Sequence, residues 1–251
     1  MAADLPTQIQ SALRTHTLPT PSRPWLRALI PNRIPPPPLA SLIATARMRL
    51  LASDLTTPSL LDPSYSAEHH IPPRLVNNPE IDIGRLPCDV VVQVLDIENL
   101  SRSRWEQVEE MEAVARGEMT RGREVIRVVS EQEEGEEGGG DERGVNGVNA
   151  NEGNGGGNTG AKATHKLVFQ DCTGEKVIGI ELNRVEQIGI GRTNIGEKWL
   201  LRKDTRISRG VIMLEPTYCQ VLGGRVEIWH KVWLDGRLAR LKEAAGVNDR
   251  R

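Results

Sequence analysis

A small antiparallel β-barrel carried beside a short helical unit is the fold class this sequence predicts, and two observations point to it. Residues 165–224 consist of short runs rich in β-branched and aliphatic residues, separated by Gly, Asp, Thr and Pro, the pattern of a compact all-β unit. Within them, Leu167 and Phe169 alternate with polar or smaller residues, and Ile178, Ile180 and Leu182 do the same after a Cys-Thr-Gly-Glu turn at 172–175. Period-two alternation places each set on one face of a pleated strand, so the two runs read as a hairpin with a buried side. Gly179, between Ile178 and Ile180, reads as a bulge or sharp coil of the kind a small closed barrel needs. Asp171 is expected to form the turn, and Glu181 to sit on a solvated strand face.

The first 62 residues form the helical unit. Ile9 and Leu13, four apart, predict a short amphipathic helix over 5–16. Pro21 and Pro24 then punctuate, and Trp25, Leu26, Leu29 and Ile30 fit a second helix with Pro24 in its first turn. Residues 35–38, four prolines, form a stiff polyproline spacer. Leu39, Leu42, Ile43, Ala46 and Leu50 share one face of a third helix over 39–51. A bundle this short is marginal alone and should lean on the barrel.

Residues 63–88, rich in Pro, Asn and His, read as an extended connector. The His69-His70 pair has no Cys or carboxylate at ligand spacing and predicts no metal site. The barrel domain, 89–245, begins with a strand at 89–95 in which Val90, Val92 and Val94 share a face. Its expected hairpin partner is 165–170, about 70 residues further on, far beyond an ordinary hairpin loop. This insertion, 97–163, has two halves. Trp105, Val108, Met111 and Ala115 recur at helical spacing over 100–119, giving a segment that either folds back on the barrel or binds a partner. Residues 131–160 are acidic and then Gly/Asn-rich; such a composition buries too little apolar surface to order and predicts a linker. Its Gly run follows no strand and lacks Gly-Lys-Ser/Thr, so it is not a phosphate cradle. A C-terminal helix over 225–245 carries Leu234, Leu238 and Leu241, with Trp229 and Trp233 packed on a core and Asp235-Gly236 as a candidate kink.

The net charge of −2 conceals an Arg-rich first 60 residues and an acidic run at 131–142. Three cysteines without CxxC spacing read as free thiols in a reducing compartment. No signal-peptide core and no apolar run of membrane-spanning length is evident, so a soluble intracellular chain is expected. No nucleophile, metal or nucleotide motif points to an enzyme. Small barrels bind single-stranded nucleic acid by stacking bases on exposed aromatics, but aromatics are 3% of this chain. Lys166, Trp199, Arg202 and Tyr218 form the weak candidate DNA site, with Phe169 assigned to the core.

The runs Leu-Val-Phe-Gln-Asp-Cys-Thr-Gly at 167–174, Gly-Ile-Glu at 179–181, Gly-Glu-Lys-Trp-Leu-Leu at 196–201, Arg-Gly-Val-Ile-Met-Leu-Glu-Pro at 209–216 and Val-Leu-Gly-Gly at 221–224 resemble the N-terminal OB-fold of the RecQ-mediated genome instability protein 1 family. Pro24-Trp25-Leu26 is similar to the family's helical region, Ile71-Pro72-Pro73 to its approach to the barrel, and Leu238-Ala239-Arg240-Leu241 to its C-terminal helix. The resemblance implies a five-stranded OB-fold with no cofactor, acting as a non-enzymatic subunit beside a type IA topoisomerase III and a RecQ helicase. Such a complex dissolves double Holliday junctions in the nucleus. It further implies that the insertion docks at the topoisomerase gate, through Leu100, Trp105, Val108 and Met111. Lys198 matches a family position associated with topoisomerase contact. The chain is similar to short fungal members that lack the second OB domain of animal members and the partner that docks there. The rival expectations are a free-standing single-strand or junction DNA-binding module and a ubiquitin- or chromatin-linked adaptor.

Overall fold

The computed structural model describes residues 4–30, 37–76, 80–117 and 163–246. The expected linker at 131–160 and the first half of the proline spacer, Pro35 and Pro36, lie outside them.

Three helices open the chain. Helix α1 (Leu5–Thr15) buries Ile9 and Leu13 together with Pro6 and Gln10. Helix α2 (Arg23–Leu29) buries Leu26 and Leu29, with Pro24 in its first turn. It starts where the Ser22 hydroxyl accepts a hydrogen bond from the Trp25 amide at 3.2 Å, satisfying one donor that a helix N-terminus leaves free. Helix α3 (Leu39–Ala52) buries Leu42, Ala46, Leu50 and Leu51. These side chains share a core with Leu55, Leu60 and Leu61, and with Val91 and Leu200 of the sheet. The helical unit therefore leans on the barrel, as its size required.

The connector is less extended than its composition suggested. It holds α4 (Pro63–Glu68), whose Asp62 cap accepts from the Ser64 amide, the single-turn α5 (Pro73–Val76) and a two-residue strand, β1 (Gly84–Arg85). The other strands are β2 (Val90–Asn99), β3 (His165–Gln170), β4 (Lys176–Glu181), β5 (Lys198–Leu201), β6 (Arg206–Ser208), β7 (Val211–Leu214) and β8 (Cys219–Gly223). They form one sheet in the order β1-β6-β7-β4-β3-β2-β5-β8. Among the described residues the sheet has eight strands, not five, because β1, β6 and β8 extend a central run of five. It is also mixed, since β4 pairs with β7 in parallel. Its edges are β1 and β8, so it curls without closing into a ring.

The expected pairing of β2 with β3 is present, with Gln93 opposite Gln170 and Asn99 opposite His165. Val90, Val92 and Val94 face the barrel core, and Val91 faces the helical core, so β2 is buried on both sides. In the β3–β4 hairpin the inward residues of β4 are Val177, Gly179 and Glu181; Ile178 and Leu182 are 41% and 51% exposed. The expected alternation on β4 is present, but the opposite face turns inward. Phe169 decides this: a Cβ on Gly179 would sit 2.7 Å from its ring. The glycine makes room for the aromatic, and the β3–β4 ladder runs through it without a bulge. Register shifts occur instead in β2 between Val94 and Asp96, and in β5 between Lys198 and Trp199.

Helix α7 (Glu227–Ala244) closes the barrel end and continues through Asp235-Gly236. Trp233 is buried in the barrel core and Trp229 packs against it. The Trp233 indole donates to the Asp96 carboxylate at 2.6 Å, pinning α7 to the bulge of β2. Among the described residues, no helix is long and apolar enough to cross a membrane.

Candidate partner-binding site

The insertion leaves the sheet at Asn99 and returns at His165, residues that face each other in the β2–β3 ladder. Its two ends are stitched together: the Leu100 amide donates to the Thr164 carbonyl at 2.8 Å, and the Thr164 amide to the Ser101 hydroxyl at 2.8 Å. Helix α6 (Arg104–Ala115) starts there with a complete capping box, Ser103 and Glu106 each satisfying the other's backbone amide. It is shorter than the helix expected over 100–119.

Helix α6 is held against α7. Lys242 pairs with Glu112 at 2.7 Å, and Arg104 reaches both Glu98 and the Ala244 carbonyl. Glu98 also takes the Lys166 ammonium at 2.5 Å. The Lys166 hydrogen bond, helped by Arg104, holds this carboxylate below the ordinary glutamate range against the opposing effect of burial. Between the helices lies a shallow cleft of about 420 Å³, bordered by Leu100, Trp105, Ala244 and Ala245.

The expected gate residues fall into two groups. Leu100 and Trp105 are 47% and 50% exposed and flank this cleft. Met111 is half-buried, and Val108 is 2% exposed, turned inward with Gln107, whose amide donates to the Asn99 and Arg102 carbonyls. Val108 is thus a packing residue in this arrangement. Lys198 is fully buried, its ammonium donating to the Gly196 carbonyl at 2.6 Å. Burial pushes it down to about 8, against the pull of nearby Asp54. It cannot touch a partner directly in this conformation.

The four residues of the weak DNA site do not form a platform. Trp199 is fully buried, its indole bound to Glu197 at 3.1 Å and its ring 6.3 Å from that of Phe169. Lys166 is committed to Glu98, and Arg202 to the Gln220 side chain at 2.9 Å. Tyr218 is half-buried in the loop before β8. A buried indole cannot stack on a base.

Two buried polar networks lie outside the residues that the sequence pattern marks. Gln93, fully buried, accepts from the Leu55 amide at 3.0 Å and donates to Asp54 at 2.7 Å and to Gln170 at 3.1 Å. It joins the helical unit to the sheet beside Lys198. The signal was present, since Gln93 is the one polar residue within the apolar run 90–95. Glu181, expected to be solvated, is instead 7% exposed. One oxygen accepts from the His165 amide and meets the His165 ring, both at 2.8 Å; the other accepts from Arg184 at 2.8 Å and the Val185 amide at 3.0 Å. This carboxylate ties the return of the insertion to the loop after β4.

Two family profiles match the chain. One is described as the RMI1 N-terminal OB-fold domain and covers residues 65–237; the other is the RMI1 N-terminal helical domain and covers 13–58. A curated relative, RecQ-mediated genome instability protein 1 of Schizosaccharomyces pombe (strain 972 / ATCC 24843), is 28% identical over 154 residues. That match spans 61% of this chain and 63% of the relative, short of two thirds of the relative's length. With an OB-fold profile spanning most of the chain and a helical profile before it, the chain belongs to the RMI1 family, carrying its N-terminal helical and OB-fold domains.

Proposed function

We propose that this chain is a non-enzymatic structural subunit in genome maintenance, bound to a RecQ helicase and a topoisomerase III in the nucleus. The relative's name ties that protein to RecQ-mediated genome stability; the topoisomerase is the partner implied by the OB-fold resemblance. One observation carries the reading: the excursion between β2 and β3 is rooted on a hydrogen-bonded base, with exposed Leu100 and Trp105 at its exit. A segment that departs from and returns to one rung of a ladder can be long without disturbing the barrel, because loop-closure cost grows slowly with length. Contacts that differ between the open and closed gate would bias that equilibrium and so promote decatenation and junction dissolution.

Lys198 enters this reading indirectly, by donating to the Gly196 carbonyl and so holding the turn that leads into β5. The test is capture of topoisomerase III by the purified full chain, by a chain lacking 100–160, and by Trp105→Ala, with decatenation assayed in parallel. The full chain is expected to retain the topoisomerase and stimulate decatenation. The deletion and Trp105→Ala are expected to lose stimulation while circular dichroism stays that of the folded barrel. No capture by the full chain, or undiminished decatenation with the deletion, would sink the proposal.

A further inference from the structure

Between Asp4 and Asp54 the chain carries six arginines and no aspartate or glutamate. The five in described residues, Arg14, Arg23, Arg27, Arg47 and Arg49, are all exposed. The ion pairs found among the described residues all lie elsewhere in the fold.

Four of them are laid out as a stripe. Thr7, Ser11 and Arg14 recur at i, i+4 and i+7 on one face of α1. Arg23 reaches across from α2 to the Thr7 hydroxyl at 3.2 Å, and Arg27 lies one turn further along α2 on the same face as Arg23. At the other end of α1, Arg47 of α3 lines a cleft of about 310 Å³ with Thr15, His16 and Thr17. Thr7 and Arg14 are two helical turns apart, about 10 Å, so the guanidiniums run in the sequence Arg27, Arg23, Arg14, Arg47, with half-buried Thr7 and exposed Ser11, Thr15 and Thr17 between them; the three threonine hydroxyls donate within the fold. Two carboxylates border the stripe, Asp4 and Asp62, and each already accepts a local hydroxyl, from Thr7 and Ser64.

We propose that this stripe is a second binding surface of the protein and that its ligand is the phosphate backbone of duplex DNA. A row of exposed guanidinium groups with no ion-pair partner of its own among the described residues is a donor set that recognises phosphodiester oxygens without reading sequence. The stripe offers no aromatic for stacking bases, because the unit's one aromatic, Trp25, packs on the helical core; this argues for a duplex rather than a single strand. Met48 is the only large exposed apolar residue of the three helices, so there is no apolar face to insert into a lipid surface. The surface is separate from the insertion and the α6–α7 cleft, and the inference stands without the topoisomerase reading.

The test is fluorescence anisotropy of the full chain with a labelled 30-base-pair duplex between 50 and 200 mM salt. Replacing Arg14, Arg23, Arg27 and Arg47 by Gln should weaken binding at least tenfold and flatten the log–log salt slope by about 3.6. Lys at the same four positions should restore both. Arg14 and Arg23 make hydrogen bonds within the fold, so Arg27→Gln with Arg47→Gln is the second variant; it should flatten the slope by about 2 at an unchanged Tm. Unchanged affinity and slope in the second variant would overturn the proposal. So would an equal or larger loss for a single strand of the same length, for polyglutamate or for phosphatidylserine vesicles. Topoisomerase capture should be the same in all variants, so the two readings fail separately.

Discussion

Glu181 has its charge stabilised inside the barrel by four short contacts. Burial opposes ionisation, but the His165 ring, the backbone amides of Val185 and His165, and Arg184 together keep the carboxyl below its ordinary range. A depressed folded-state value means the stabilisation is complete above the ordinary glutamate range and is lost as pH falls through the folded value. Glu181→Gln is expected to cost about 2–4 kcal/mol at pH 7, read as a lower urea midpoint with unchanged slope. It should also remove part of the acid-side loss; equal pH profiles for variant and parent would refute this account. Gly179→Ala tests a different force, since the added methyl must displace the Phe169 ring in a packed core. A loss of about 1–3 kcal/mol is expected, and a neutral substitution would show that the ring gives way freely. Strand alternation was legible here in Ile178, Ile180 and Leu182. Which face went inward was not, because Phe169 on the neighbouring strand took the inner side and Gly179, diagonal to it in the ladder, made room for its ring.

Elements meet at the seam between the helical unit and the sheet, where Gln93, Asp54 and Lys198 lie under the end of α3. Gly224 belongs to the same seam: its φ is +79°, and a Cβ there would lie 2.4 Å from the Leu51 carbonyl. The Leu-Gly-Gly ending read in the sequence thus marks the point where backbone meets backbone, and Gly224→Ala is expected to loosen the two units. Lys198 supplies a pH signature. Its folded value of about 8 lies below the usual 10.5, so between those pH values the unfolded chain binds more protons and folding gains stability as pH rises. Below about 8 that gain is absent. Cys172 and Cys219, each pushed up to about 11 by burial, act in the opposite sense, so the parent alone cannot display it. The difference between the parent and Lys198→Met is expected to shift in the parent's favour by about 2 kcal/mol from pH 8 to pH 10. A pH-independent difference would mean the ammonium is better solvated than its burial implies.

The whole molecule is two cores sharing two strands, β2 and β5. Val91 of β2 and Leu200 of β5 serve the helical core, while Val90, Val92 and Trp199 serve the barrel. Residues 1–62 expressed alone should therefore show no cooperative thermal transition, because removing the sheet uncovers the apolar face that Val91 and Leu200 cover. A sharp transition for that fragment would refute the dependence. Exposed Trp105 at the insertion's exit and the arginine stripe on the helices lie on different elements, so partner capture and DNA binding are expected to respond to different substitutions.

Much of this was written in local pattern. The helices outside the connector followed from apolar spacing and proline position, the hairpin from period two, and the insertion from the distance between two strands that had to pair; α4 and α5 fell in a stretch that reads as extended. All of these depend on residues within one turn or one ladder rung of each other. The basic character of the helical unit was equally legible, because it is a matter of composition. Tertiary structure decided what depended on distant neighbours: the burial of Lys198, Trp199 and Glu181, the inward turn of Val108, and the three short strands that enlarge the sheet. Each of these side chains is polar or aromatic enough to be read as a surface group when its sequence neighbours are the only context, or sits on a helix whose inner face only the sheet defines. Their fate was set by residues tens of positions away, where a buried hydrogen bond or a close-packed ring outweighed the tendency that the local sequence expressed.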